Sequence, residues 1–337
     1  MSVTIKKIAE VSGVSRGTVD RVLNNRGKVS PRTEQKVKEC AKRLGYKPNL
    51  AGKALAAKKK NYVIGIIISS EGNPFFDDVI KGIESFIETY EQYGIKVIIK
   101  TMKGYNIETQ LNLIESFENE ISGLIITPID TETIREKINY LKDRGIGVIT
   151  LNTDIKNCKR FPYVGTDYYK GGQIAGGIIK LINPLALIGI VQGSNKIYGH
   201  NQRILGFKEE IEKNTGATIK EIFETDDDDI TSYEKTLKIL KSNNFIDTIF
   251  IVAGGVYGVC RAIMKLNRKN IQVVCFDEVP TTIDMLKNDI IKVTISQQPI
   301  LQGKKAMEIM FDYLVKGEKP QNECYIIENQ IKIKQNF

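Results

Sequence analysis

Residues that pair hydrogen-bond donors with acceptors stand just beyond a series of apolar runs in this chain of 337 residues. After YVIGIII (62–68) come Asn73, Phe75 and Phe76, and after GVITL (147–151) come Asn152 and Asp154. LIGIV (187–191) is followed by His200, Asn201 and Arg203, QVVCF (272–276) by Asp277, and KVTIS (292–296) by Gln297. Amides, carboxylates and a guanidinium beside aromatic rings make bidentate hydrogen bonds to hydroxyls and cover the C–H-rich face of a ring. That is the chemistry of a sugar or polyol pocket. Taken singly each has a plainer use: Asn73 before a proline starts a turn, Asp277 caps a helix, Arg203 pairs at the surface. Their common position, one set per run, carries the ligand reading.

Catalysis is not indicated. No nucleophile is marked and His200 is the only histidine, so neither a histidine-based metal site nor a dyad is expected, nor any cofactor. GGQIAGG (171–177) lies in a helical pattern and AGGVYG (253–258) lacks the spacing of a phosphate loop, so both read as packing glycines. The acidic run 226–229 lacks the alternation of a calcium loop and reads as a solvated turn.

The runs that position these residues are β-branched and unbroken, as in strands buried on both faces of a parallel sheet. Others are VIIK (97–100), GLIIT (123–127) and TIFIV (248–252), with amphipathic helical patterns between. Strand alternating with helix over about 275 residues predicts two doubly wound parallel-sheet units, with ligands beyond the carboxyl ends of the strands.

The first 60 residues are different. They hold 16 Lys and Arg against 4 Asp and Glu, while the rest of the chain holds 33 against 36. The head thus carries +12 and the rest −3, so the chain's net charge of +9 comes from the N-terminal head, as phosphate neutralisation requires. TIKKIAEVSGVSRGTVDRVLN (4–24) reads as two short helices around Gly13. Thr4 and Ser15 are caps; Val19, Val22 and Leu23 face inward; Arg16, Gly17, Asp20 and Arg21 face outward. This arrangement offers a helix to the DNA major groove, with an ordinary helical hairpin as the plain alternative. Ser30-Pro31 opens a third helix lined by Val37, Ala41 and Leu44. The segment 49–60, capped by Asn49, is too short to be a stable isolated helix and is expected to fold on DNA, with Leu55 as a minor-groove wedge; a flexible lysine-rich linker is the alternative. Five scattered cysteines, with no CxxC pair, read as buried thiols. With no signal region after Met1 and no run of 18 apolar residues, a cytoplasmic protein with no membrane partner is expected.

TIKKIAEVSGVSRGTVDRVLNN, GYKPNLAGKALA, NPFF, the 193–207 stretch ending RILGF, VVCFDEVP and TISQQP together resemble the lactose-repressor (LacI) family of bacterial transcription regulators over essentially the full length. The body looks especially like the ribose-type periplasmic sugar-binding proteins. The resemblance implies an all-α helix-turn-helix head at 1–48, a hinge at 49–60 and a periplasmic-binding-protein-like α/β body at 61–337. Within the body one subdomain takes about 61–165 and 298–326, the other about 166–297 and 327–337. It implies a homodimer on a near-palindromic operator, with a sugar or polyol effector in the interdomain cleft controlling operator affinity. Thr4, Ser15, Arg16, Gly17, Thr18, Asp20, Arg21 and Asn24 of the head, and Asn49, Leu55 and Ala56 of the hinge, fall to DNA. Asp20 stands where the family commonly has a small residue, so its carboxylate must tolerate phosphate or read a cytosine amino group. Asn152-Thr153 replaces a sugar-binding Asp-Arg pair, and Ala253-Gly254-Gly255 an Asn-Asp. A solute-binding receptor of a sugar transporter is the alternative, and it would need export. A dinucleotide enzyme would need a fingerprint that is absent.

Overall fold

The computed structural model describes residues 3–23, 27, 29–46, 57–69, 71–213 and 216–337. Asn24, Asn49, Leu55 and Ala56 lie outside the described residues.

The head is three helices, Ile5–Ser12, Arg16–Leu23 and Pro31–Arg43. Thr4 Oγ1 accepts from the backbone N–H of Lys7 at 3.3 Å, and Gly13 ends the first helix at φ 67°, where a side chain is strained. Ser15 Oγ accepts from the N–H of Thr18, and Ser30 caps the third helix ahead of Pro31. Ile8, Ala9, Val19, Val22, Val37, Cys40 and Ala41 close a small core. Arg16, Gly17 and Arg21 are left exposed on the second helix.

The body contains two six-stranded sheets. The first has the order β11-β5-β4-β3-β1-β2 and is wholly parallel. Its strands are β1 Val63–Ile68, β2 Lys96–Thr101, β3 Gly123–Ile126, β4 Gly147–Leu151, β5 Tyr163–Gly165 and β11 Cys324–Ile326. The second has the order β12-β10-β9-β8-β6-β7, parallel except for β12. It comprises β6 Leu187–Gln192, β7 Thr218–Glu224, β8 Thr248–Ile251, β9 Gln272–Phe276, β10 Val293–Ser296 and β12 Gln330–Lys332. The chain passes between the sheets three times, after β5, after β10 and after β11, so each lobe is assembled from separated stretches of sequence. The central strands β3, β4 and β8 are buried at every residue, as their unbroken apolar runs require.

Helices cover both sheets and cross one another closely through glycine. A Cβ on Gly172 would lie 2.0 Å from the carbonyl oxygen of Arg203, and one on Gly206 2.0 Å from that of Tyr169. The glycine-rich stretch 171–177 thus brings helix Tyr168–Ile182 against helix Tyr198–Glu212, and this contact fixes the backbone that carries Arg203. Of the cysteines, Cys40, Cys260 and Cys275 are buried, whereas Cys158 is half-buried and Cys324 exposed; Cys324 sits on an edge strand, where only one flank is covered. Among the described residues no helix is long and apolar enough to cross a membrane.

Candidate functional site: the cleft between the lobes

The carboxyl ends of both sheets face one another across a cleft. Ser69, Asn73, Phe75, Phe76, Tyr105, Thr127, Asn152 and Thr153 line it from the first lobe. Tyr168, Ile197, His200, Arg203, Asp227, Ala253, Gly254, Asp277 and Gln297 complete it. The enclosed volume is about 40 Å³, against roughly 150 Å³ for a cavity that takes up benzene, so a sugar-sized occupant has to part the lobes.

Asn73 stands before helix Pro74–Tyr90 and its Oδ1 accepts from the Phe75 N–H at 3.1 Å. Cap and ligand group are therefore the same side chain. Phe75 and Phe76 meet edge to face, ring centroids 5.1 Å apart. Asn152 turns the chain with φ 63° and accepts at Oδ1 from the Tyr168 hydroxyl at 3.0 Å, while its Nδ2 donates to Gln302 Oε1 at 3.3 Å. Burial raises the Tyr168 phenol, so it remains a donor.

Arg203 is a buried cation. It is 2% exposed, and its guanidinium carbon lies 3.5 Å from the Phe276 ring centroid and 4.4 Å from that of Tyr168. Nη1 donates to the carbonyl of Val252 at 2.6 Å, but Nε and Nη2 have no hydrogen-bond partner. Burial pulls its pKa down, against the carboxylate of Asp277 and others. A buried cation with unmet donors is costly, on the order of several kcal/mol, unless an acceptor arrives to complete it.

Asp277 follows β9 at φ 70° and accepts from Gln297 Nε2 at 2.8 Å. Burial pushes its carboxyl up to about 6, opposed by Arg203. Gln297 Oε1 in turn accepts from Thr166 Oγ1 at 3.2 Å, tying two of the interlobe crossings together. His200 Nδ1 accepts from the Ser194 N–H at 3.0 Å, and burial lowers its pKa, which favours the neutral ring.

Two expected ligand residues are elsewhere. Asp154 is turned away and held by Arg160, Nε to Oδ1 and Nη2 to Oδ2 both at 2.6 Å, with Thr150 donating to the same carboxylate. An arginine six residues on neutralises it, and it stands one residue beyond Thr153, the last of this stretch to line the cleft. Asn201 is exposed and bonds to Gln192 and to the Asn195 carbonyl. It lies one residue, about 100° of helix, past His200, whereas Arg203, three residues on, shares the inward face. The acidic run is corrected as well. Asp227 enters the cleft, Asp228 caps helix Asp229–Ser242 by accepting from Thr231 N–H at 2.8 Å, and Asp229 accepts from the Gly258 N–H at 3.0 Å.

Sequence reasoning passed over Ser69, Tyr105, Thr127, Tyr168 and Asp227. Tyr105 follows β2 as directly as Asn73 follows β1, so the rule of reading strand ends extends to it. Tyr168 and Asp227 follow β5 and β7, which carry no unbroken apolar run.

In the head, Arg16, Gly17 and Arg21 share the exposed side of helix Arg16–Leu23, and Arg21 Nε donates back to the Gly17 carbonyl at 3.1 Å. Thr18 is half-buried with its hydroxyl 2.9 Å from that of Ser15. Asp20 is half-buried, and its charge contributes, after burial, to the raised pKa of Tyr46.

Residues 4–49 match the family model described as bacterial regulatory proteins, lacI family, and residues 64–319 that described as periplasmic binding protein domain. Similar proteins include HTH-type transcriptional regulator MalR of Streptococcus pneumoniae, 26% identical over 96% of this chain and 97% of the relative. The ribose operon repressor of Halalkalibacterium halodurans is 26% identical over 88% of this chain and 86% of its own. Catabolite control protein A of Priestia megaterium is 33% identical, but that match spans 50% of this chain and 48% of the relative. Among solved structures, GanP, a glucose-galactose binding protein from Geobacillus stearothermophilus, superposes with a TM-score of 0.76 at 24% identity, covering 82% of this chain and 98% of that one. That likeness bears on the fold of the body.

Proposed function

We propose a function from one premise: the chain belongs to the lacI family of bacterial regulatory proteins and carries a periplasmic binding protein domain as its body. It is a DNA-binding transcriptional regulator whose operator affinity is set by a small sugar or polyol held between the two lobes. The head supplies the DNA contact: Arg16, Gly17 and Arg21 are presented together, and the positive charge is concentrated there. Arg203 carries the ligand half. Its unmet donors lie buried between Asp277, Tyr168 and Phe276, ready for ligand oxygens and a ring face.

Ligand and DNA are coupled through the attachment of the head. Ala57, the first described residue of the hinge segment 49–60, is 3% exposed and packs in the core of the first lobe. Lobe movement is therefore transmitted to the segment 49–56, where Leu55 serves as the wedge in the minor groove. A ligand that binds one lobe arrangement better shifts the population toward it, and the operator affinity follows. The protein acts in the cytoplasm as a homodimer, because two heads related by a two-fold axis read a near-palindromic site.

Selection of bound sequences from random DNA, with the full chain, tests the first half. A recurring palindromic motif is expected, and uniform recovery of all sequences contradicts it. A thermal-shift screen against sugars and polyols tests the second, since binding raises apparent stability by mass action.

A further inference from the structure

Asp227 stands in the cleft because two glycines make room for it. Asp226 and Asp227 both have left-handed backbone, φ 52° and 59°, which directs the Asp227 side chain inward. A Cβ on Gly193 would lie 2.1 Å from Asp227 Oδ1, and one on Gly254 2.8 Å from the Asp227 Cβ. Any larger residue at either place would displace the carboxylate. The Gly254 N–H donates to Oδ1 at 2.8 Å, and the hydroxyl of Tyr105, from the opposite lobe, donates to Oδ2. His200 Nε2 lies 4.0 Å from Oδ2, and the Asp227 side chain is 7% exposed. A carboxylate has about four acceptor positions, so two remain for a ligand.

The same carboxylate borders the outer part of the cleft, a volume of about 690 Å³. Glu71, Asp226, Asp228 and Asp229 line it, with Lys103 as the one basic residue among the lining residues. An arriving anion meets negative charge first at this entrance and then at Asp227; the one cation farther in, Arg203, already faces the carboxylates of Asp277 and Asp227, so the inner cleft has more carboxylates than cations, in surroundings of low polarisability where like charges repel strongly. A hydroxyl or an ammonium group meets an acceptor.

We propose that Asp227 is a specificity-determining residue of the ligand site. It accepts a hydrogen bond from a hydroxyl or ammonium group of the ligand, and so selects uncharged or amino sugars over sugar acids and sugar phosphates. The proposal rests on the reading of the cleft as a sugar site. A ligand seated there takes its place between Asp227 and Tyr105, so the contact that joins the lobes is replaced by one that runs through the ligand.

Calorimetry and thermal shift on the full chain test this with D-arabinose, D-allose, D-glucose and D-glucosamine, set beside D-glucuronate and D-arabinose 5-phosphate. For the wild type, binding by one or more of the first four, with the two anions at least 100-fold weaker, is expected. Asp227→Asn keeps the shape and removes the charge; it should weaken the bound sugar about tenfold and narrow the gap to its anionic counterpart. Equal or tighter binding of an anion by the wild type overturns the proposal, as does unchanged selectivity in folded Asp227→Asn. If that variant does not fold, the wild-type comparison decides alone. Silence from all six compounds counts against the sugar reading itself, and the proposal falls with it.

Discussion

Arg203, which lines the cleft, is tethered to the Val252 carbonyl through Nη1 at 2.6 Å, and this one bond leaves two further nitrogens buried without partners. The cation is thereby positioned but not satisfied. Replacing it with an apolar residue of similar reach removes a desolvated charge from the resting protein and also removes the donors that a ligand completes. Arg203→Met should leave the unliganded protein as stable as the wild type, or more stable by about 1–3 kcal/mol, while ligand affinity falls at least 100-fold. Denaturant unfolding and calorimetry measure the two effects separately. A large loss of stability with ligand binding retained would make Arg203 a structural residue.

Asp277 gives the pH dependence. Its folded pKa of about 6 is above the ordinary 3.8, so the protonated form is favoured in the fold. Its contribution to stability is fully present below about pH 4 and is lost as the pH rises through about 6. His200 runs the other way: its lowered pKa gives a contribution present above about 6.5 that is lost as the pH falls. The stability difference between wild type and Asp277→Asn isolates the first effect and should decline by on the order of 3 kcal/mol from pH 4 to pH 7. Ligand hydroxyls donate to the ionised carboxylate, so wild-type affinity should weaken below pH 6 and that slope should vanish in Asp277→Asn.

Glycines on the helix beneath Arg203 separate packing from propensity. Gly172→Ala drives a Cβ to 2.0 Å from the Arg203 carbonyl, whereas Gly177 has nothing within 4 Å of its Cβ position. The first should cost about 1–3 kcal/mol and weaken ligand binding through Arg203. The second should be neutral or gain up to about 1 kcal/mol. Equilibrium unfolding of the pair checks both.

Most strands legible in the sequence were buried along nearly their whole length, because burial demands an unbroken apolar run; β2, half-buried at a sheet edge, was legible as well because VIIK keeps such a run. β7, TIKEIFE, alternates exposed and half-buried residues at a sheet edge, and β5 and β11 have three residues each. Their signals were too short or too mixed, and Tyr168 and Asp227, which follow two of them, were missed with them. Arg203, Asp277 and Gln297 were legible because each follows a strong run. Asp154 and Asn201 were misread for lack of what sequence spacing does not state: the later partner Arg160, and the phase of a helix around its axis.

Arg21 provides the test of base reading in the head. Its Nε is engaged with the Gly17 carbonyl of its own helix, which pre-orients the guanidinium along the exposed side. Arg21→Ala should cost about 1–3 kcal/mol on the selected operator and relax preference at one or two base pairs, with little change on random DNA. Fluorescence anisotropy at fixed salt measures both. Equal loss on both DNAs would place Arg21 on phosphate alone.

The coupling between cleft and head is the core of the account, and one titration addresses it. Selected operator DNA is bound by the full chain with and without a sugar that stabilises it, in the wild type and in Arg203→Met. The account predicts that the sugar changes wild-type operator affinity by roughly 5- to 150-fold and leaves Arg203→Met unmoved. An operator affinity that is the same with the wild-type cleft full or empty would contradict it.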